Sequence, residues 1–206
     1  MKVLLINGSP HEKGCTCTAL SLIAGELKAQ GIETEILHVG GQPVGGCIGC
    51  GGCRSGNGCV FGGVVNEAIE KAKTADAFVF GSPVHYASAA GNMASFMDRL
   101  AYAGGKYLAY KPAAVCCSAR RAGTTSTLDQ LVKYPQFFHM PLVNGSYWAM
   151  VHGSNPEQVL QDAEGCAVMQ ELGRNMAWLL RCIEAGRAAG IDHPENPRRP
   201  MTNFIR

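Results

Sequence analysis

The chain has 206 residues, of which 47% are apolar, and this is enough to bury the core of one α/β domain. Only 17% of the residues are charged, which is too few for long disordered stretches. Its formal net charge of +2 gives no electrostatic reason to expect nucleic-acid binding. No apolar run is long enough to span a membrane, and the first residues are strand-like rather than typical of a signal peptide, so we expect a cytoplasmic protein that does not bind membranes.

Segments typical of strands alternate with segments typical of helices. Strands are predicted at 2–7, 32–39, 77–81, 113–117 and 142–150, and helices at 15–30, 64–73, 87–101, 124–134 and 156–189. A glycine- and cysteine-rich loop at 40–63 separates the second strand from the second helix. This alternation predicts a parallel sheet whose two faces are covered by helices. Five strands favour a flavodoxin-like three-layer sandwich with the strand order 2-1-3-4-5.

The first predicted strand ends in a hydroxyl-rich loop that leads into a helix. Ser9, Thr16 and Thr18 supply hydroxyl donors, and His11 or Lys13 would add positive charge. In α/β folds, a loop at this position binds phosphate, because free N–H groups and the helix dipole point at it. The loop matches neither the G-x-G-x-x-G nor the Walker pattern, and it suits the single phosphate of a mononucleotide. The alternative is an ordinary helix start, in which the Ser and Thr side chains only cap N–H groups.

The loops after the third and fourth strands lie at the same edge of the predicted sheet and flank its switch point. A flat flavin ring needs a wall, an apolar face and donors at its edge. Tyr86 is a candidate to stack on the ring, and Arg120 or Arg121 to stabilise the negative charge of a reduced flavin. We interpret His85 as a loop histidine and predict no catalytic side chain, because hydride transfer to flavin N5 needs no protein base.

Three runs resemble the superfamily of NADPH-dependent FMN reductases and iron–sulfur flavoproteins. They are Ile6-Asn7-Gly8-Ser9-Pro10, Gly81-Ser82-Pro83-Val84-His85-Tyr86 and Phe96-Met97-Asp98-Arg99-Leu100. The resemblance covers nearly the whole chain, including 118–123 and 202–206. It implies FMN as cofactor, NAD(P)H as cosubstrate, and a homodimer or homotetramer with the flavin near a subunit interface. We therefore assign 1–192 to a flavodoxin-like FMN-binding domain and 193–206 to a C-terminal tail, whose three prolines exclude a regular helix.

The resemblance also implies which residues hold the cofactor. The phosphate would be held by Ser9, His11, Gly14, Cys15, Thr16, Cys17 and Thr18, the ring by Pro83, Val84, His85, Tyr86, Ala87 and Ser88, and the far edge of the ring by Ser118, Arg120 and Gly123. Members of the superfamily usually carry a basic residue where His11 stands and often Asn where Cys15 stands. Cys15 and Cys17 also lie at a predicted helix N-terminus, where the dipole lowers a thiol pKa.

Ten cysteines are many for this length, and because we expect a reducing compartment, we do not assign them to structural disulfides. The sharpest spacing is Cys47-x2-Cys50-x2-Cys53-x5-Cys59, which begins like a bacterial ferredoxin run. Resemblance to iron–sulfur flavoproteins implies that these four residues bind a [4Fe–4S] cluster, which splits a two-electron flavin step into one-electron steps. A four-cysteine zinc site and a loop that binds no metal are the alternatives. Cys116 and Cys117 fall in a buried strand and are predicted to be core.

Three functions are compatible with these patterns. The one we predict is an FMN-dependent NAD(P)H oxidoreductase that passes electrons to a quinone, a free flavin or a small aromatic acceptor by a ping-pong scheme. The alternative is an electron carrier in which FMN and a [4Fe–4S] cluster exchange electrons with a ferredoxin-like partner. The third is a flavodoxin-like fold that no longer binds FMN and serves as a binding module.

Overall fold

The computed structural model describes residues 1–196, 200, 202 and 204. Its strands are β1 (Lys2–Asn7), β2 (Glu33–His38), β3 (Ala77–His85), β4 (Ser88–Ala89), β5 (Ala113–Ala119) and β6 (Met150–His152). Its α-helices are α1 (Cys15–Ala29), α2 (Val64–Thr74), α3 (Gly91–Gly104), α4 (Thr124–Phe137), α5 (Pro156–Gln161) and α6 (Ala163–Ala188), with short 3₁₀ turns at Gly52–Ser55 and Gly105–Tyr107. Of the predicted tail, positions 197–199, 201, 203, 205 and 206 lie outside the described residues.

The main sheet is parallel and has the order β2-β1-β3-β5-β6. Within the described residues, the short strand β4 pairs with β3 alone, in the antiparallel direction. Without β4, the strand order is the predicted 2-1-3-4-5, and the flavodoxin-like fold is confirmed. The carboxyl ends of β1, β3 and β5 meet at one edge of the sheet, where this topology changes direction.

Two apolar clusters fill the space between the sheet and its helices. Along β1, Val3 and Leu5 pack with α1 and α6, while Leu4 and Ile6 pack with α2 and α3. This alternation is the period of two expected when both faces of a strand are buried. The predicted core positions of Cys116 and Cys117 are confirmed, since both are fully buried in β5.

Glu35 on β2 connects the sheet edge to α2. Its carboxylate lies 2.8 Å from the Lys2 ammonium and 2.6 Å from that of Lys71. Hydrogen bonds from Lys2 and then Lys71 hold the pKa of Glu35 below its usual value.

The predicted start of the third helix at Ala87 is wrong. The strand β3 continues to His85 and turns back into β4, and α3 begins only at Gly91. Tyr86 and Ala87 form the turn, with φ angles of 50° and 59°. The Gln130 side chain fixes the returning strand, since its Oε1 accepts hydrogen bonds from the Ser88 hydroxyl at 2.7 Å and the Ala89 N–H at 2.9 Å.

The last strand and the last helix also differ from prediction. Within the predicted strand 142–150, Leu142 forms an isolated bridge to Ala113 of β5, and β6 begins only at Met150, which pairs with Cys117. The predicted helix 156–189 breaks at Asp162, whose carboxylate accepts hydrogen bonds from the His152 N–H at 2.7 Å and the Gly165 N–H at 2.9 Å. A capping carboxylate therefore starts a new helix at Ala163. Among the described residues, no helix has both the length and the apolar character needed to cross a membrane.

Candidate functional site

The loop between β1 and α1, residues 8–14, is called here the phosphate loop. It folds around the fully buried side chain of Asn7. The Asn7 Oδ1 accepts a hydrogen bond from the Ser9 N–H at 3.1 Å, and its Nδ2 donates to the Glu12 carbonyl at 3.0 Å. The Ser9 hydroxyl accepts from the His11 N–H at 3.1 Å. Asn7 was not among the predicted site residues, although it lies in the first run of the family resemblance.

The helix α1 begins at the end of this loop without a side-chain cap. Its N-cap residue is Gly14, and its first turn contains no acidic residue. The Thr18 hydroxyl donates to the Gly14 carbonyl at 3.3 Å, and the Thr16 hydroxyl pairs with that of Ser118 at 2.8 Å. No Ser or Thr side chain therefore caps the N-terminus of α1, although the Ser9 hydroxyl does accept from the His11 N–H within the loop. The N–H groups of the first turn are open to an anionic group, at the positive end of the helix dipole.

A cavity of about 150 Å³ opens beside the phosphate loop, at the carboxyl edge of the sheet. The predicted cofactor residues that line it are Ser9, His11, Cys15, Thr16, Pro83, Val84, His85, Ser118 and Arg120. Ala119 and Gly153 also line it and were not predicted. Three separate loops thus bring hydroxyl, imidazole and guanidinium groups to one place. The donor set fits the phosphate of FMN, because each of these groups can donate a hydrogen bond to a phosphate oxygen.

Of the two cysteines at the start of α1, Cys15 lines this cavity and Cys17 does not. Burial raises the pKa of the Cys15 thiol, whose Sγ lies 3.6 Å from the Gly153 carbonyl oxygen. The prediction that the helix dipole lowers the pKa of Cys15 is therefore wrong, because desolvation dominates. Gly14, Cys17 and Thr18 belong to the loop and helix start but do not line the cavity.

The rest of the predicted ring site lies on the β3–β4 hairpin. Tyr86 is fully exposed, and neither it nor Ala87 nor Ser88 lines the cavity. The hairpin touches the loop before α4 at Gly123, which has a φ of 90° and where a Cβ would lie 2.7 Å from the Ala87 Cα. The Ser126 hydroxyl also donates to the Ala87 carbonyl at 2.7 Å. The hairpin is thus held beside the cavity, with the Tyr86 ring projecting into solvent.

The end of β2 supports the phosphate loop from a second side, which sequence reasoning missed. The His38 Nε2–H donates to the Ser9 carbonyl at 2.8 Å. Gly40 packs so closely that a Cβ there would lie 2.1 Å from the same oxygen. The Asn92 side chain then donates to the carbonyls of Gly40 at 3.2 Å and Gln42 at 3.1 Å. The position of Ser9 therefore depends on residues far away in the sequence.

A second cavity, of about 630 Å³, is called here the cysteine cavity. All four predicted metal ligands line it, namely Cys47, Cys50, Cys53 and Cys59. Cys47 and Cys50 are exposed, whereas Cys53 and Cys59 are partly buried. Gly49 and Gly51 have φ angles of 65° and 71°, a conformation that side chains disfavour, and they let the chain bend between the thiols.

Cys59 is the most firmly held of the four. The Asn66 Oδ1 accepts a hydrogen bond from the Cys59 N–H at 2.8 Å, and the Asn66 Nδ2 donates to the Cys59 carbonyl at 3.0 Å. The Arg99 Nε donates to the Cys59 Sγ at 3.2 Å. Both Asn66 and Arg99 lie on helices, α2 and α3, so Cys59 is fixed to the body of the fold.

Within the described part of the chain, no three His, Cys, Asp or Glu side chains are placed closely enough to hold a metal ion. The donor set nevertheless suits one, because four thiols share one cavity and thiolates bind iron–sulfur clusters and zinc. The residues thus fit a metal–thiolate group by their chemistry. Binding it requires the glycine-rich loop to bring Cys47, Cys50 and Cys53 towards Cys59.

The helix α3 connects the two cavities. Near its start, the Met93 side chain packs against Gly8 of the phosphate loop, where an added Cβ would lie 2.7 Å away. Arg99 lies farther along α3 and lines the cysteine cavity. At 1.5 Å per helical residue, the two positions are separated by about 9 Å along the helix axis. The sites are thus close enough to be coupled through one rigid element.

These sites lie within the part of the chain that matches a known family. The NADPH-dependent FMN reductase family matches residues 1–155, a stretch that contains both cavities and the β3–β4 hairpin. The chain belongs to the NADPH-dependent FMN reductase family. Membership supports flavin-dependent oxidoreductase chemistry.

Relatives of this FMN reductase family member include iron–sulfur flavoproteins from two archaea. The one from Methanocaldococcus jannaschii is 28% identical over 192 residues, which cover 89% of this chain and 100% of the relative. The one from Methanosarcina thermophila is 25% identical over 193 residues, covering 91% of this chain and 99% of the relative. A solved structure with a similar fold is the crystal structure of RosB with bound 8-demethyl-8-formylriboflavin-5'-phosphate. It has a TM-score of 0.69 at 15% identity, and the match covers 100% of this chain and 94% of that chain.

Proposed function

We propose that the protein is an electron carrier that binds FMN at the carboxyl edge of the sheet and a [4Fe–4S] cluster in the cysteine cavity. The observation that carries this proposal is that all four cysteines of the motif line one cavity, joined by α3 to the phosphate loop. The names of the two archaeal relatives support it. Together, the shared cavity and these names favour the electron carrier over the NAD(P)H oxidoreductase predicted from the sequence.

The chain's own groups would perform distinct tasks in this function. The N–H groups at the start of α1 and the hydroxyls of Ser9 and Thr16 would bind the phosphate of FMN. Pro83 and Val84 would lie against the ring, and Arg120 would stabilise negative charge on it. Bound FMN supplies two-electron and one-electron redox chemistry, and a cluster held by the four thiolates supplies one-electron chemistry. A ferredoxin-like protein is the proposed partner.

The second candidate is an NAD(P)H oxidoreductase that reduces a quinone, a free flavin or a small aromatic acceptor. The open rim of the FMN site favours it, because His85 and Tyr86 are exposed there and leave room for a nicotinamide. The family name also supports it. In this function, nicotinamide and acceptor would use the same ring face in turn.

A rapid-mixing experiment separates the two candidates. Protein reconstituted with FMN and iron–sulfide without oxygen is mixed with NADPH, NADH or a reduced ferredoxin, and bleaching of the flavin absorbance is followed. Bleaching by ferredoxin alone supports the electron carrier. Bleaching by NAD(P)H at about 1 per second or faster, in the range of enzyme turnover, supports the oxidoreductase. Failure to take up FMN would contradict both and favour the binding module.

We also propose a homo-oligomer, in line with the family resemblance. Large apolar side chains remain exposed at several positions, among them Tyr147, Trp148 and Trp178. Aromatic residues are enriched at interfaces between subunits. Light scattering coupled to size-exclusion chromatography distinguishes a dimer or tetramer from the monomer that would contradict this proposal.

A further inference from the structure

Arg99 carries a buried positive charge beside the cysteine cavity. Only 6% of its surface is exposed. Its guanidinium donates from Nε to the Cys59 Sγ at 3.2 Å, from Nη1 to the Gly45 carbonyl at 3.3 Å and from Nη2 to the Gly62 carbonyl at 3.1 Å, and it lies 5.4 Å from the centre of the Phe61 ring. Among the described residues, no carboxylate forms an ion pair with it.

A buried cation without an anionic partner is unfavourable, because the few dipoles around it replace water incompletely. Carbonyls and an aromatic face reduce this cost but do not neutralise the charge. Arg99 lines the cysteine cavity together with the four cysteines, where negative charge assembles when the thiols become thiolates. The Asp98 carboxylate also lines this cavity and accepts a hydrogen bond from the Tyr134 hydroxyl at 2.6 Å. Four thiolates that bind iron or zinc carry net negative charge as a group.

We propose that Arg99 is the counter-charge of the cysteine cavity, which favours binding of an anionic metal–thiolate group there and raises the reduction potential of a cluster. This inference rests on the metal–thiolate centre of the proposed function. Arg99 acts here as a positioning residue, since its contact is with the ligand Cys59. Arg54 serves as a control, because it also lines the cysteine cavity but is exposed, so that water screens its charge.

The expected effect follows from the charge balance of reduction. One-electron reduction adds one negative charge to the cluster, and a buried cation in contact with a ligand stabilises the reduced form more than the oxidised form. Replacing Arg99 with glutamine, which is polar but uncharged, should therefore lower the equilibrium constant for reduction by at least about tenfold. For a one-electron couple this corresponds to a potential lower by about 59 mV.

The test compares wild type with Arg99→Gln, Arg99→Lys and Arg54→Gln. Each is reconstituted with ferrous iron and sulfide without oxygen, assayed for iron and acid-labile sulfide, and titrated for the cluster's midpoint potential by visible absorption and electron paramagnetic resonance. FMN binding by each variant controls for folding. We expect a lower potential in Arg99→Gln, a smaller shift in Arg99→Lys, which keeps the charge, and little change in Arg54→Gln.

The outcomes separate this inference from the proposed function. A wild type that takes up no iron overturns both. A wild type with a cluster whose potential is the same in Arg99→Gln as in Arg54→Gln overturns the counter-charge alone. If Arg99→Gln takes up no iron or does not fold, full iron content in Arg99→Lys supports the counter-charge. Equal loss in Arg99→Lys and Arg99→Gln overturns it, because geometry and not charge is then what matters.

Discussion

Replacing Gly40 with alanine should disrupt the phosphate loop from outside it. An added Cβ would lie 2.1 Å from the Ser9 carbonyl oxygen, 2.4 Å from the Ser9 carbonyl carbon and 2.6 Å from the Gly8 carbonyl oxygen. These are backbone atoms, so no side-chain rotation relieves the contact. Comfortable contact needs about 3.5 Å, and the two segments must therefore separate by more than about 1 Å.

The energetic cost has two parts. Overpacking of this kind costs about 1–3 kcal/mol. Separation also lengthens the hydrogen bond from His38 to the Ser9 carbonyl, now 2.8 Å, which adds about 1 kcal/mol. We therefore expect the free energy of unfolding to fall by about 2–4 kcal/mol. If even about 1.4 kcal/mol of this strain must be overcome to bind FMN, the dissociation constant rises about tenfold.

The assay measures urea unfolding by circular dichroism and FMN binding by quenching of flavin fluorescence. The matched control is Gly25→Ala on the exposed side of α1, where an added Cβ has nothing within 4 Å. That control should be more stable than wild type by about 0.5–1 kcal/mol, with unchanged FMN affinity. Equal FMN affinity in Gly40→Ala and Gly25→Ala would contradict this role of Gly40.

Three further predictions follow from other contacts. Replacing both Ser9 and Thr16 with alanine should weaken FMN binding in a fluorescence titration, and unchanged affinity contradicts their assignment to the phosphate. Asn66→Ala removes both side-chain hydrogen bonds to Cys59 and should lower the free energy of unfolding in urea by about 1–3 kcal/mol. The control Asn57→Ala, at an exposed position, should change it by no more than about 0.5 kcal/mol. Equal effects of the two substitutions would contradict the anchoring role of Asn66. Glu35, with its lowered pKa, stabilises the fold above its unfolded pKa of about 4.3, and this contribution is lost as pH falls through the lower folded value. The stability gap between wild type and Glu35→Gln should therefore shrink on acidification below about pH 4, and a constant gap contradicts it.

Much of the fold follows from local patterns. The apolar run of β1 and the alternation of strands and helices are sufficient for a parallel sheet covered by helices on both faces. The strand order does not follow from this alternation and is predicted instead from the usual order of five-stranded flavodoxin-like sheets. The hairpin of β3 and β4 could not be predicted in this way. Its turn residues, Tyr86 and Ala87, adopt left-handed backbone angles without the glycine or asparagine that usually signals them.

The candidate site shows the same division. The hydroxyls and cysteines stand in recognisable motifs, and the structure places all four cysteines around one cavity. The residues that hold those motifs are distant in sequence, such as Arg99, which is 40 positions from Cys59, and His38, which is 29 positions from Ser9. Such contacts depend on how helices and strands pack, and no local pattern encodes them.

The most direct test of the central claim, that one chain holds both FMN and a metal–thiolate centre, is the absorption spectrum of protein purified without oxygen. FMN, iron and acid-labile sulfide are assayed on the same sample. We expect flavin bands with a broad visible shoulder and about four irons per chain, as a [4Fe–4S] cluster requires. Flavin bands without iron, even after reconstitution with iron and sulfide, would contradict the claim and leave the cysteine loop without a metal.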